Sequence, residues 1–230
     1  MARALPGLIF DLDGTLVDTA PDLLGATNAV LRSQGRREVD PATLRHMVGF
    51  GARSLIAQAM AATGAPVEDA RLAELVDRFL VHYRAHIADA SVAFPGVEET
   101  LAALARDGAR LAVLTNKPQA MADLLLAALK LDRFFAVVYG AGRMSYVKPD
   151  ARIFHDVVRA LGSGTGIMIG DSITDVATAR AAGAPVILVS YGYTPEPAAT
   201  LGADSVIDEF SHLRKVLAAP TFRLRYLTDR

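Results

Sequence analysis

Four short runs rich in Leu, Ile and Val each stop at a polar cluster: GLIFD at 7–11, RLAVLTN at 110–116, GIMIGD at 166–171 and PVILVS at 185–190. Runs this short and this apolar read as strands buried on both faces, which is the signature of a parallel sheet covered by helices. FFAVVYG at 134–140 is a fifth candidate. Between them lie GVEETLAALARDG, KPQAMADLLLAALKL, DARIFHDVVRALG and ITDVATARAAG, with apolar residues at helical spacing and several ending at a glycine. Strand and helix alternating from about residue 92 onward predict an α/β, doubly wound, Rossmann-like parallel sheet with right-handed crossovers.

The stretch after the first strand breaks that alternation. Residues 18 to 91 carry no convincing strand, only APDLLGATNAVLRSQG, DPATLRHMVG, ARSLIAQAMAATG and DARLAELVDRFLVHYRAHI. Asp40 before Pro41 reads as an N-cap and first helical position, and Gly35, Gly49, Gly51 and Gly64 as stops. The expected division is a discontinuous core, 1–17 and 92–230, with an inserted all-α domain at 18–91. The last eleven residues, from Pro220 to Arg230, read as a docked or frayed tail.

Composition narrows the partners. The chain has 230 residues, 52% hydrophobic, enough for a full core, and its net charge of −1 comes from scattered rather than clustered charges. Neither nucleic acid nor a membrane is expected as a partner, and a small molecule is. There is no cysteine, which removes disulfides, thiolate catalysis and cysteine-ligated zinc. No signal-peptide pattern or spanning apolar run is evident, so a cytoplasmic location is expected, as a monomer or homodimer.

Ligands of open α/β sheets bind at the carboxyl ends of the strands. Here the first run ends in Asp11, with Asp13-Gly14-Thr15 following; the second ends in Thr115-Asn116-Lys117; GIMIGD ends in Asp171, with Asp175 four residues on; and Lys148 follows the candidate fifth run. On a continuing strand Asp11 and Asp13 would share a face and repel. Either a cation lies between them, or one carboxyl keeps its proton, or the strand breaks and they diverge. Turns and helix caps explain each cluster singly, but not four carboxylates gathered with a lysine and a threonine. Carboxylates clustered without histidine or cysteine make a hard-oxygen site suited to Mg²⁺. A metal would leave Asp11 ionised, and Asp13, at the Gly14 turn, free to carry a proton for acid–base work. His82 and His86, four apart on a helical pattern, lack a third ligand and read as a solvated face.

DLDGT, LTNK, the lysine of VKPD and GDSITD, in this order with a helical insertion after the first, resemble the four motifs of the haloacid dehalogenase superfamily across essentially the whole chain. The resemblance implies that Asp11 attacks phosphorus and that Asp13 protonates the leaving oxygen and then activates water. Thr115 and Lys148 would hold phosphoryl oxygens, assisted by the loop at Gly14 and Thr15 and by Asn116. Mg²⁺ would sit on Asp11, Asp171 and the Asp13 carbonyl, with Asp175 at its flank. The insertion resembles a cap that closes over the site, hinged near 16–20 and 88–95.

DLDGTLVDTAPDL, VGFGARSLIAQAM and SYGYTPEPAATLGADSVIDEFSHL are further similar to phosphoglycolate phosphatases. Arg53, beside the Gly49-Phe50-Gly51 turn, reads either as a bidentate partner for the carboxylate of such a substrate or as a solvated side chain beside glycines that only separate two helices. Ala151, Arg143 and Thr194-Pro195-Glu196 depart from that pattern. The same motifs also serve phosphatases of other small esters or pyrophosphate, and phosphomutases. A haloalkanoate dehalogenase has no use for Asp13 or the metal acids, and a phospho-acceptor receiver has none for a cap.

Overall fold

The computed structural model describes residues 6–220 and Phe222. In chain order the elements are β1 (Gly7–Phe10), β2 (Val17–Asp18), α1 (Ala20–Ser33), α2 (Pro41–Arg45), α3 (Ala52–Thr63), α4 (Asp69–Ala85), β3 (Val92–Ala93), α5 (Val97–Arg106) and β4 (Leu111–Pro118). They continue through α6 (Gln119–Ala128), β5 (Val137–Ala141), α7 (Ala151–Ala160), β6 (Gly166–Gly170), α8 (Ile173–Ala181), β7 (Val186–Val189), β8 (Ser205–Ile207) and α9 (Leu213–Ala218).

Six strands form one sheet in the order β5-β4-β1-β6-β7-β8, every pairing parallel. The side-chain period of two sends alternate residues to opposite faces. Leu8, Phe10, Val113 and Ile169 pack with Leu101, Leu125 and Leu213 of α5, α6 and α9. Ile9, Ala112, Leu114 and Met168 pack with Phe154 and Val157 of α7 and Val176 of α8. This is why the strand sequences are apolar throughout rather than alternating. Phe10 pairs with Val113 and with Ile169. That register brings the ends of β1, β4 and β6 to one edge, so Asp11, Thr115 and Asp171 emerge side by side.

Between β2 and β3 the chain is helical. α1 to α4 pack around Leu31, Leu44, Ile56, Met60, Leu75 and Phe79, a cluster that also takes in Met121 and Tyr193 from the sheet-bearing part. Asp40 caps α2, its Oδ1 accepting from Thr43 N at 2.8 Å. Gly51 corrects the expectation of a stop: with φ +85 it is the N-cap of α3, the left-handed turn from which that helix starts. The two chain passages run side by side, Val17 opposite Ala93 and Asp18 opposite Val92, antiparallel. These two-residue strands, like β8 and α9, are too short to show a period in sequence. Among the described residues no helix is long and apolar enough to cross a membrane. Apart from Pro220 and Phe222, which packs into the core at 7% exposure, the tail lies outside the described residues.

Buried Asp22, in the first turn of α1, fastens the second passage. Its carboxylate accepts from Ala90 N at 3.0 Å, and from Ser91 N at 2.8 Å and Ser91 Oγ at 2.6 Å. Asp22→Ala strands these donors and is expected to cost about 2–3 kcal/mol. In a chain of this size the thermal midpoint should fall by roughly 5–10 °C, read by calorimetry.

Candidate active site

Asp11 is the first residue beyond β1 and is buried at 3% exposure. The Lys148 ammonium lies 3.0 Å from its Oδ1 and 2.6 Å from Oδ1 of Asp175, so one cation serves two carboxylates. Asp11, Asp171 and Asp175 each present an oxygen within 4.8 Å of the others, all three buried. Burial, reinforced by Asp175, pushes the Asp11 carboxyl from 3.8 to about 6 against the opposing pull of Lys148. Asp171 is raised well above the carboxylate range, by burial first and then by Asp175 and Asp11. Three desolvated carboxylates against one ammonium leave a charge deficit that a divalent cation would fill. The ligand atoms these three acids offer are all carboxylate oxygens. The residues therefore fit a hard divalent ion.

The other two acids are held from behind. Asp175, which opens α8, accepts at Oδ2 from Asp171 N, Ser172 N and Ser172 Oγ. Asp171 accepts from Thr15 Oγ1 at 3.1 Å and from Tyr193 N at 2.8 Å. Two glycines make room for it: a Cβ on Gly14 would meet its Oδ2 at 2.6 Å, and one on Gly192 would meet its Cβ at 2.2 Å.

The Asp11 and Asp13 carboxylates are kept apart by a strand break and by separate cations. β1 ends at Phe10, and the chain turns at Gly14, with φ +82. Asp11 has Lys148; Asp13 has Lys117, whose Nζ lies 2.7 Å from its Oδ1. Both aspartates line a cleft with Thr115, Asn116 and Lys117 on one side and Gly49, Phe79 and Tyr83 on the other. The Asn116 amide donates at 3.2 Å to Gly49 O and to Lys148 O, joining the helical segment to the Lys148 loop. A second opening is lined by His46, Phe50, Tyr193, Thr194 and Pro195, which places the departure after YGY at the cleft mouth.

Two expectations need correction. Arg53 does not line the cleft; its half-exposed guanidinium pairs with Asp69 at 2.7 Å, because α3 turns that face toward the start of α4. Gly14 and Thr15 are occupied within their own turn: Gly14 N donates to Val17 O, Thr15 N to Leu12 O, and the Thr15 hydroxyl to Asp171. They shape the acid cluster rather than stand free for a ligand. Arg143 is exposed and lies over the Tyr139 ring, outside the cleft. His82 and His86 sit with ring centres 4.6 Å apart, and His86 pairs with Asp89; the only metal-competent acid or histidine group among the described residues is the Asp11, Asp171, Asp175 triad.

Lys117, Tyr83 and Tyr193 were not assigned site roles from sequence. Lys117 follows Thr115 by two, the strand spacing that puts both on one face, and this was the available signal. Tyr83 and Tyr193 carried none, since their approach depends on tertiary packing.

The haloacid dehalogenase-like hydrolase family matches residues 8–189. The chain is 47% identical over 210 residues to phosphoglycolate phosphatase of Caulobacter vibrioides, covering 90% of this chain and 89% of that one. It is 42% identical to phosphoglycolate phosphatase of Agrobacterium fabrum, covering 92% of each. Among solved structures, a predicted phosphoglycolate phosphatase of Haemophilus somnus superposes with a TM-score of 0.88 at 28% identity, covering 94% of this chain and all of that one (100%). By fold, by the acids at its sheet edge and by these relatives, the chain belongs to the haloacid dehalogenase-like hydrolases.

Proposed function

We propose that the chain is a Mg²⁺-dependent phosphatase that converts 2-phosphoglycolate into glycolate and phosphate through a phosphorylated Asp11. The observation that carries the reading is Asp11 itself: a buried carboxylate at the carboxyl edge of the sheet, held between the Lys148 ammonium and the other two acids. An Asp11 oxygen forms a bond to phosphorus as the ester P–O bond breaks, and the departing oxygen takes a proton from Asp13. Asp13 then removes a proton from water, whose oxygen attacks phosphorus and releases Asp11. Thr115 and Lys148 hold the phosphoryl oxygens in line, since phosphoryl transfer depends on alignment and charge neutralisation. When bound, Mg²⁺ supplies positive charge against the phosphoryl oxygens; Asp11, Asp171 and the Asp13 carbonyl would hold it, with Asp175 beside it. Residues 18–91 serve as the cap that excludes water, moving on the passages at β2 and β3. The substrate assignment is supported by the relatives named phosphoglycolate phosphatase.

The test is kcat/KM for 2-phosphoglycolate against sugar phosphates, nucleotides and pyrophosphate, with Mg²⁺ and with EDTA. The reading requires 2-phosphoglycolate to lead and EDTA to abolish turnover. Asp11→Asn should lose about 10⁴-fold or more of kcat. Asp13→Asn should lose about 10²- to 10⁴-fold, or accumulate phosphoenzyme detectable by intact mass. Gly192→Ala, by displacing Asp171, should raise the Mg²⁺ concentration for half-maximal activity about 10-fold or more. Because the Asp11 carboxyl is raised from 3.8 to about 6, the folded metal-free protein binds its proton more tightly than the unfolded chain. That contribution is complete below 3.8 and is lost as pH rises through about 6. In EDTA the Asp11 contribution to stability should therefore decline across this window, and Mg²⁺ should raise the thermal midpoint more at pH 8 than at pH 5. Equal Mg²⁺ stabilisation at both values would count against a metal site built on these acids.

A further inference from the structure

With Arg53 turned away, the cleft needs another source of charge recognition. Among the described residues lining it, Lys117 carries the only positive charge. Its side chain is 3% exposed and has one carboxylate partner, Asp13, whereas Lys148 has two. An ammonium has three donors, so Asp13 leaves capacity for a further acceptor. Lys117 Nζ also lies 4.6 Å from the centre of the Tyr83 ring, on α4. The Tyr83 hydroxyl is buried beside the Lys117 ammonium, from which its oxygen can accept, while its own O–H finds no acceptor among the described residues. Burial pushes that phenol up to about 12, so it keeps its proton as a donor. Leu55, Phe79 and Leu80 line the cleft beside it, and apolar walls strengthen any ion pair formed there.

We propose that Lys117 and Tyr83 form an anion subsite that takes the second charged group of the substrate, the carboxylate of 2-phosphoglycolate, with Lys117 as the selecting residue. This rests on the reading of the chain as a phosphatase for an ester bearing a second anion. Lys117 Nζ lies 2.7 Å from Oδ1 of Asp13, the acid that would protonate the departing oxygen, so the ammonium stands on the leaving-group side of an ester whose phosphorus is at Asp11. One donor comes from the sheet and the other from the helical segment, so the subsite is complete only when the two are together. Recognition of the carboxylate thereby favours the arrangement in which water is excluded.

The experiment compares 2-phosphoglycolate with 2-hydroxyethyl phosphate, its neutral counterpart of equal length, in wild type, Lys117→Met and Tyr83→Phe, all with Mg²⁺ and with folding checked by calorimetry. The neutral ester passes through the same chemistry at Asp11 and Asp13, so any effect of Lys117 on Asp13 falls equally on both substrates. Lys117→Met should lower the ratio of kcat/KM for 2-phosphoglycolate to that for the neutral ester about 10- to 100-fold, the extra loss on 2-phosphoglycolate coming chiefly through KM. Tyr83→Phe should shift the ratio the same way by about 3- to 10-fold. Equal losses on both esters, or a preference that survives Lys117→Met, would overturn the subsite and leave the phosphatase reading standing. If wild type prefers a different dianionic ester and Lys117→Met erases that preference, the subsite stands and the named substrate falls. A wild type that hydrolyses neutral and charged esters alike overturns both.

Discussion

Lys148 sets the terms for the rest of the site. Burying Asp11, Asp171 and Asp175 within 4.8 Å of one another is sustainable only because an ammonium reaches two of them and backbone or hydroxyl donors reach the third. Each surrounding feature answers that constraint. The parallel register brings three strand ends to one edge, the Ser172 turn and α8 give Asp175 its donors, and two glycines leave room for Asp171. Even so, the Asp11 and Asp171 carboxyls remain raised, because desolvation outweighs the single lysine. The fold leaves charge uncompensated at the point where the proposed reaction brings a cation and a phosphoryl group together. Stability and function pull in opposite directions here, as is common where a site is preorganised for charge that arrives with the ligand.

Much of the fold was legible in the sequence because the signals are local. GLIFD, RLAVLTN, FFAVVYG, GIMIGD and PVILVS are strands because runs of that length and apolarity have nowhere to go but the middle of a covered sheet. The eight longer or capped helical patterns correspond to α1 through α8. Asp11, Asp13, Thr115, Lys148, Asp171 and Asp175 were legible for a related reason: strand ends in a parallel sheet all face one edge, so polar residues there can be placed together without coordinates.

What escaped the sequence was decided by contacts between segments far apart in the chain. Arg53 was read toward the cleft from the neighbouring glycines, but its direction follows from how α3 packs on α4, and Asp69 claims it. Gly14 and Thr15 were read as ligand contacts, whereas their N–H groups close a turn. Lys117 stood in plain view at the end of LTNK, and only the approach of Asp13 and Tyr83 shows what surrounds it. Short pairings such as Val17 with Ala93 have no periodicity to read and exist because two passages of chain must cross the same gap.

Tyr193 links two of these regions with one residue. Its N–H donates to Asp171, while its hydroxyl donates to Asp18 at 2.7 Å and accepts from Thr19 N and Ala20 N where α1 begins. Arg45 of α2 lies over its ring and pairs with Asp18. Any force that tightens or relaxes Asp171 is therefore felt at the first chain passage through a single rigid aromatic strut, with no flexible side chain between. In thermodynamic terms, if the helical segment moves as proposed, this strut makes its position and the occupancy of the acid cluster coupled variables. By reciprocity, whatever bias the one exerts on the other must be returned in equal measure.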